Sequence, residues 1–214
     1  MRSATVTGVI YDAGFSSSSR FYEFSNGMLG MKPKIFHSGD AGTIIRFAIG
    51  ECSLGSFLVA ATGKGVCAIL LGDDSVALVH ELQDRFPKAP LIGGDAACEQ
   101  LIPRVVGFLE APSISLGLPL DIRGTAFQQR VWEALREIPS GSTASYAQIA
   151  ARIGLPKSVR AVANACGANS LAVVIPCHRV VRSDGFLSGY RWGVERKTEL
   201  LQREGIRAEA KDPS

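Results

Sequence analysis

Apolar residues follow two kinds of spacing along this chain, and the change from one to the other divides it. Thr43–Gly50 and Gly55–Thr62 are rich in Ile, Val, Phe and Ala around a glycine-containing connection, the pattern of two strands. Val66–Leu71 is a short continuous apolar run, which predicts a buried strand. From Val76 to Phe86, and again from Ala96 to Leu109, apolar positions recur at three- and four-residue spacing, which predicts two helices. Three antiparallel strands with helices on one face form a small α/β domain over residues 42–110. His80 falls in the first of these helices and is expected to be exposed or structural. Ala111–Pro119, rich in Pro, Ser and Gly, predicts a connector.

Residues 120–207 read as mainly helical. Thr125 is placed to cap a helix through Arg136, with Phe127, Val131 and Leu135 on its inner face. Ser145 is placed to cap Tyr146–Ile153, which Gly154-Leu155-Pro156 ends, and Lys157–Ala168 forms the next helix. A strand carrying Cys177 follows, and Gly193–Glu204 is the last helix. The pair on either side of Gly154 is a helix-turn-helix pattern. Residues 1–38 repeat that pattern: Thr5–Tyr11, a turn at Asp12-Ala13-Gly14-Phe15, then Arg20–Met28.

Composition narrows the class. A chain of 214 residues, 46% hydrophobic, can bury a substantial core in one or two domains. No apolar run is long enough to span a bilayer and no secretory leader is evident, so a cytoplasmic location is expected. The five cysteines, Cys52, Cys67, Cys98, Cys166 and Cys177, include no C-x-x-C or zinc-like spacing. No disulfide framework, metal or cofactor is expected. Cys67 reads as core, and Cys52, Cys98 and Cys166 as structural. Charge is uneven: residues 157–207 hold nine Lys/Arg against four Asp/Glu, whereas residues 73–110 hold three against seven. A basic half suits a polyanionic partner.

That basic half contains Pro176-Cys177-His178-Arg179. A cysteine beside a histidine and arginines has the ingredients of a lowered thiol pKa, and Pro176 can set the turn that aims it. Adjacent Cys and His in a strand point to opposite faces, which suits a direct hydrolase dyad poorly. A nucleophile beside a groove-binding element suggests chemistry on nucleic acid.

Here the chain closely resembles the O6-alkylguanine-DNA alkyltransferases, in particular the C-terminal part of the family's Ada-type members. Phe127-Gln128-Gln129-Arg130-Val131-Trp132, Ser145-Tyr146, Arg160-Ala161-Val162 and Asn169 carry the resemblance. It continues through Ile175–Val181 and Ser188-Gly189-Tyr190-Arg191-Trp192-Gly193. Asp12–Ser17, Arg20-Phe21-Tyr22 and Leu29–Pro33 resemble the second helix-turn-helix of an AraC-type DNA-binding domain. The resemblance implies an α/β (α+β) chain. A partial helix-turn-helix comes first, then a small RNase H-like three-stranded domain, then a mainly helical winged-helix-like domain. It implies a suicide enzyme that moves a methyl group from O6-methylguanine, and also from O4-methylthymine, onto Cys177. His178 would polarise a water and, with Glu204, hold the thiolate. Tyr146 would donate a proton or a hydrogen bond to the departing guanine, and Asn169 would brace the turn before the nucleophile. Arg160 would replace the extruded base, and Lys157, Arg179, Ser145 and Tyr146 would contact DNA. Tyr190, Arg191 and Trp192 would line the base pocket. The implied partner is double-stranded DNA containing O6-alkylguanine, bound by a monomer. The remaining readings are a transcription regulator fragment or a non-catalytic sensor of alkylated DNA.

Overall fold

The computed structural model describes residues 43–112, 116–187 and 189–206. The AraC-like stretch at residues 1–38 lies outside the described residues. The chain divides into two compact units. Among the described residues, one comprises 43–106 with Leu118–Asp121, and the other comprises those of 107–117 and those from Ile122 to Ile206.

The first unit is built on β1 (Ile45–Cys52), β2 (Gly55–Thr62) and β3 (Gly65–Gly72), an antiparallel meander in the order β3-β2-β1. Phe57–Ala60 and Val66–Leu71 are buried, as continuous apolar runs require. A fourth strand, β4 (Leu91–Gly93), pairs parallel with β1, so the sheet has four strands rather than the expected three. Only three residues long and flanked by Pro and Gly, it carries no periodic signal. Ahead of it, α1 (Ser75–Arg85) is capped by Asp74, whose carboxylate accepts from Val76 N, and buries Leu78 and Leu82. The single helix expected over Ala96–Leu109 is two, α2 (Ala96–Glu99) and α3 (Ile102–Glu110). Pro103, lacking an N–H, fits the first turn of a new helix rather than the interior of a long one.

The second unit places the candidate chemistry. Its first helix, α4 (Ala126–Arg136), starts at a capping box: Thr125 Oγ1 accepts from Gln128 N at 3.3 Å, and Gln128 Oε1 accepts from Thr125 N at 2.8 Å. The same device starts α5 (Tyr146–Arg152), where Ser145 and Gln148 exchange bonds of 3.2 and 2.7 Å. Gly154, at φ +74°, closes α5. Leu155 N reaches Ala150 O and Gly154 N reaches Ala151 O, the paired bonds of a Schellman end. After that turn comes α6 (Val159–Gly167), two residues later than the sequence pattern predicts. Three long side chains lock these helices. Trp132 Nε1 donates to Ala165 O at 2.9 Å, Arg130 Nη2 to Ile153 O at 2.6 Å, and Arg152 Nη1 to Ala134 O at 3.3 Å.

The unit's two-stranded parallel sheet ties the helix-turn-helix to the cysteine segment. In it β5 (Ala144–Ser145) pairs with β6 (Val180–Val181). Its last helix, α7 (Val194–Arg203), buries Leu200 and Leu201, and Val181, Leu187 and Leu201 form a core with Val194 and Ile206 against it.

Candidate active site

Cys177 lies in a single 3-10 turn, Cys177–Arg179, not in the strand that the apolar run before it predicts. The reason is local. Val173, a β-branched residue, stands at φ +66°, and Val174 N bonds Ala172 O across it at 2.7 Å. Such a backbone costs on the order of 1–3 kcal/mol. Pro176 then makes an inverse γ-turn, φ −79° and ψ 60°, with Cys177 N donating to Ile175 O at 2.7 Å. Two sharp reversals within a few residues leave no room for a strand, and they aim the cysteine inward.

Asn169 holds this segment in place. It is fully buried just past α6. Its Oδ1 accepts from Leu171 N at 2.8 Å, and its Nδ2 donates to Ile175 O at 2.9 Å, Leu171 O at 3.3 Å and Cys177 Sγ at 3.3 Å. One amide therefore joins the end of the second helix of the helix-turn-helix to the thiol.

Burial pushes the Cys177 thiol up, against the lowered value that its neighbours suggest. Opposing this are first the Asn169 hydrogen bond, then the positive charges of Lys197 and Arg191. Next to Cys177 in the chain is His178, whose Nε2 lies 3.1 Å from Glu204 Oε1. Burial pulls its pKa down although the carboxylate pulls it up, so the ring is neutral near pH 7. Its Nδ1 is buried and has no hydrogen-bond partner.

Glu204 stands at the C-cap of α7. Gly205, at φ +78°, ends the helix in a second Schellman arrangement, with Ile206 N on Leu201 O and Gly205 N on Gln202 O. The carboxylate, its side chain 2% exposed, receives Arg179 Nε at 2.9 Å and Arg179 Nη2 at 2.8 Å. Arg179 Nη1 donates to Ile138 O at 2.6 Å. Despite burial, which raises it, the hydrogen bonds from His178 and then from Arg179 hold the Glu204 carboxyl at about 2. The expectation that Arg179 contacts DNA is thereby corrected. Its guanidinium is engaged inside the protein, because a buried carboxylate requires a geometrically matched cation.

Lys197 is a buried charge beside Cys177 that the sequence reading did not single out. It is fully buried on α7, and its Nζ donates to Val180 O. Burial lowers its pKa to about 8, while the adjacent Cys177 and Cys166 thiols raise it. A signal was present: Lys197 interrupts the apolar stripe Val194, Leu200, Leu201 on the inner face of a helix. Cys166, read as structural, is buried beside the same charges, and burial pushes its thiol above the ordinary range.

The other expected residues fall at the margins of this cluster. Tyr146 is half-buried at the start of α5, next to β5. Ser145 commits its oxygen to the capping box. Lys157 and Arg160 are exposed at the start of α6, beside the exposed apolar side chains of Leu155 and Val159. Tyr190 and Trp192 touch edge to face, with centroids 5.3 Å apart at 72°, and exposed Arg191 bonds Gly167 O at 2.9 Å. Among the described residues no group of three or more His, Cys, Asp or Glu side chains is placed to hold a metal, and no helix is long and apolar enough to cross a membrane.

Fold and site together define an α+β protein with a buried cysteine joined through Asn169 to a helix-turn-helix. Residues 126–206 match the family described as 6-O-methylguanine DNA methyltransferase, DNA binding domain. The inducible methylated-DNA–protein-cysteine methyltransferase of Bacillus subtilis is 39% identical over 150 residues, 70% of this chain and 84% of its own length. The Escherichia coli bifunctional transcriptional activator/DNA repair enzyme Ada is 54% identical over 200 residues, 94% of this chain. The crystal structure of Mycobacterium tuberculosis OGT in complex with DNA superposes with a TM-score of 0.63 at 33% identity, covering 77% of this chain and 96% of that one. The chain belongs to the methylated-DNA–protein-cysteine methyltransferase family. It spans just over half of the length of the Ada relatives, 56% of the Escherichia coli protein and 58% of that of Salmonella typhimurium.

Two predictions follow from these charges. The unfolded chain returns Glu204 from about 2 to an ordinary 4.5, so it binds that proton first as pH falls. The associated stability is full above pH 4.5, lost between 4.5 and 2, and on the order of 3 kcal/mol. His178, depressed below 6.5, acts in the same direction with a window that opens at 6.5. Melting curves from pH 7 to 3 should fall in two stages, and Glu204→Gln should remove the lower stage while keeping the upper. An unchanged lower stage would refute the assignment. Lys197→Met should raise the midpoint of Cys177 alkylation by iodoacetamide by about one pH unit, the scale of one nearby charge. An unmoved midpoint would remove Lys197 from the thiol's electrostatics.

Proposed function

We propose that the chain repairs DNA by moving a methyl group from O6-methylguanine onto Cys177. The observation that carries this reading is the placement of Cys177 Sγ, 3.3 Å from Asn169 Nδ2 and next to a neutral histidine backed by a buried carboxylate. In the transfer the Sγ–CH3 bond forms as the O6–CH3 bond breaks, and the electron pair returns to guanine. The thiol proton passes through a water to His178 Nδ1, the ring nitrogen open to it. Glu204 stabilises the imidazolium that results, by the logic of a triad. Tyr146 supplies the proton that guanine takes up on leaving. The thioether product has no leaving path, so each molecule acts once. O4-methylthymine, whose methyl carbon is likewise bonded to an exocyclic oxygen, is a second substrate.

Duplex DNA is the partner, and the chain acts as a monomer in the cytoplasm. Arg160 and Lys157 sit at the N-terminal, electropositive end of α6, where phosphates and groove edges are met. Chemistry on a stacked base requires extrusion, which costs a few kcal/mol, and Arg160 fills the gap left behind. We read residues 42–110 as the RNase H-like domain, 120–207 as the winged-helix-like catalytic domain, and 1–38 as the partial AraC-type segment.

Incubation with a duplex containing O6-methylguanine should add one methyl mass to the Cys177 peptide, and Cys177→Ala should abolish the gain while leaving gel-shift binding intact. A gain on another residue, or none, would overturn the reading. Arg160→Ala should slow transfer from duplex on the order of tenfold or more while leaving transfer from a free O6-alkylguanine base unchanged, since a free base has no extrusion cost to offset. Equal slowing on both substrates would return Arg160 to the surface.

A further inference from the structure

Three N–H contacts converge on one oxygen of a buried carboxylate. Glu204 Oε1 meets His178 Nε2 at 3.1 Å, Arg179 Nε at 3.1 Å and Arg179 Nη2 at 2.8 Å, while Oε2 meets Arg179 Nε at 2.9 Å. Two residues adjacent in the chain therefore compete for Oε1. The guanidinium is fixed from a third side, where Nη1 donates to Ile138 O at 2.6 Å. The turn after Ile138 also meets Glu204: a Cβ at Gly141, φ +78°, would stand 3.3 Å from Glu204 O. Burial has the largest influence on the His178 ring and opposes its protonation. The bond and charge of Glu204 favour protonation, and Arg179, then Lys197 on α7, oppose it. A neutral ring, a carboxylate and a guanidinium sum to zero charge. Without the guanidinium, the ring and carboxylate carry a buried negative charge, and one proton taken up by the pair removes it.

We propose that Arg179 is a positioning residue of the proton relay, one that keeps the His178–Glu204 pair free of an extra proton at rest so that His178 Nδ1 is open when the thiol gives up its proton. The inference rests on the functional reading above and adds to it what sets the resting state of the relay. His178 Nε2 faces the carboxylate and donates to it, so the lone pair of the neutral ring is on Nδ1, the nitrogen without a hydrogen-bond partner. A proton held at rest would occupy Nδ1 or neutralise the carboxylate that stabilises the imidazolium, and either disables the acceptor. The proton belongs to the pair rather than to one member, because the two groups share a hydrogen bond. Arginine suits this task. It stays charged throughout the working pH range, and its planar fork reaches both carboxylate oxygens.

Two measurements test this. One is the pH dependence of single-turnover methyl transfer from an O6-methylguanine duplex to Cys177. The other is a 15N NMR titration of the His178 ring, which needs no DNA. In the wild type the ring should show no protonation midpoint at or above 6.5. Arg179→Met should raise the midpoint of the pair, and with it the acid limb of the rate, by about one pH unit or more, the scale of one lost charge. The rate should recover above that limb. Arg179→Gln, which keeps amide donors and loses the charge, should shift the limb in the same way and serves where the methionine variant does not fold. Arg179→Lys keeps the charge on a single ammonium. It should leave the limb near its wild-type position and lower the plateau several-fold, since one ammonium cannot reproduce the fork. A merely structural Arg179 would lower the rate at every pH without moving the limb. A wild-type midpoint at or above 6.5, an unmoved midpoint in a folded neutral variant, or a lysine variant that shifts as far as the neutral ones overturns the proposal. If wild-type Cys177 gains no methyl from O6-methylguanine at all, the functional reading fails instead, and the ring titration still decides whether Arg179 sets the proton count of the pair.

Discussion

The site depends on the side-chain amide of Asn169. A residue past the end of a helix could serve simply as its cap, but this one also accepts from the backbone two residues on and donates to the thiol itself. Between Asn169 and Cys177 the chain reverses twice, once with a β-branched residue at positive φ. Such a segment would relax toward an extended conformation if nothing held it. The bonds from Nδ2 to the carbonyls of Leu171 and Ile175 supply that restraint from inside the loop. A surface contact made by α6 and a chemical group on Cys177 are thus joined by one side chain, without an intervening flexible connection.

Around that amide the protein arranges charge in a low-dielectric setting. Glu204 is buried, yet ionised, because Arg179 grips it and is itself anchored to Ile138 O. His178 is buried and neutral, since burial outweighs the pull of the carboxylate. Lys197 carries a charge close to its neutral limit beside two thiols. Each group is poised by opposing effects of burial and pairing, the condition in which one proton can move at small cost. Burial of Cys177 opposes its ionisation, while the Asn169 hydrogen bond and the charges of Lys197 and Arg191 favour it.

Local signals were legible wherever chemistry is short-range. Both capping boxes, the Gly154 turn, the strand over Gly55–Thr62 and the amphipathic face of α4 appear in the structure where the residue pattern placed them, because caps, turns and periodicity act within a few residues. The Cys177 motif and its relatives were equally readable. The three-residue β4 and the break between α2 and α3 were not. A strand that short owes its existence to its partner β1, and the helix break to a proline in a position that local pattern alone reads either way.

The amino-acid sequence by itself determined which groups are available: one cysteine flanked by Pro and His, a helix-turn-helix with exposed cations at the start of its second helix, and an α+β layout. Tertiary structure decided what those groups do. It turned Arg179 from a surface cation into the anchor of a buried carboxylate, moved Cys177 from a strand into a tight turn, and drew Lys197 to the thiol. The physical reason is common to all three. Desolvation and pairing depend on which atoms meet across dozens of residues, as with Arg179 and Ile138, and no local spacing encodes that meeting.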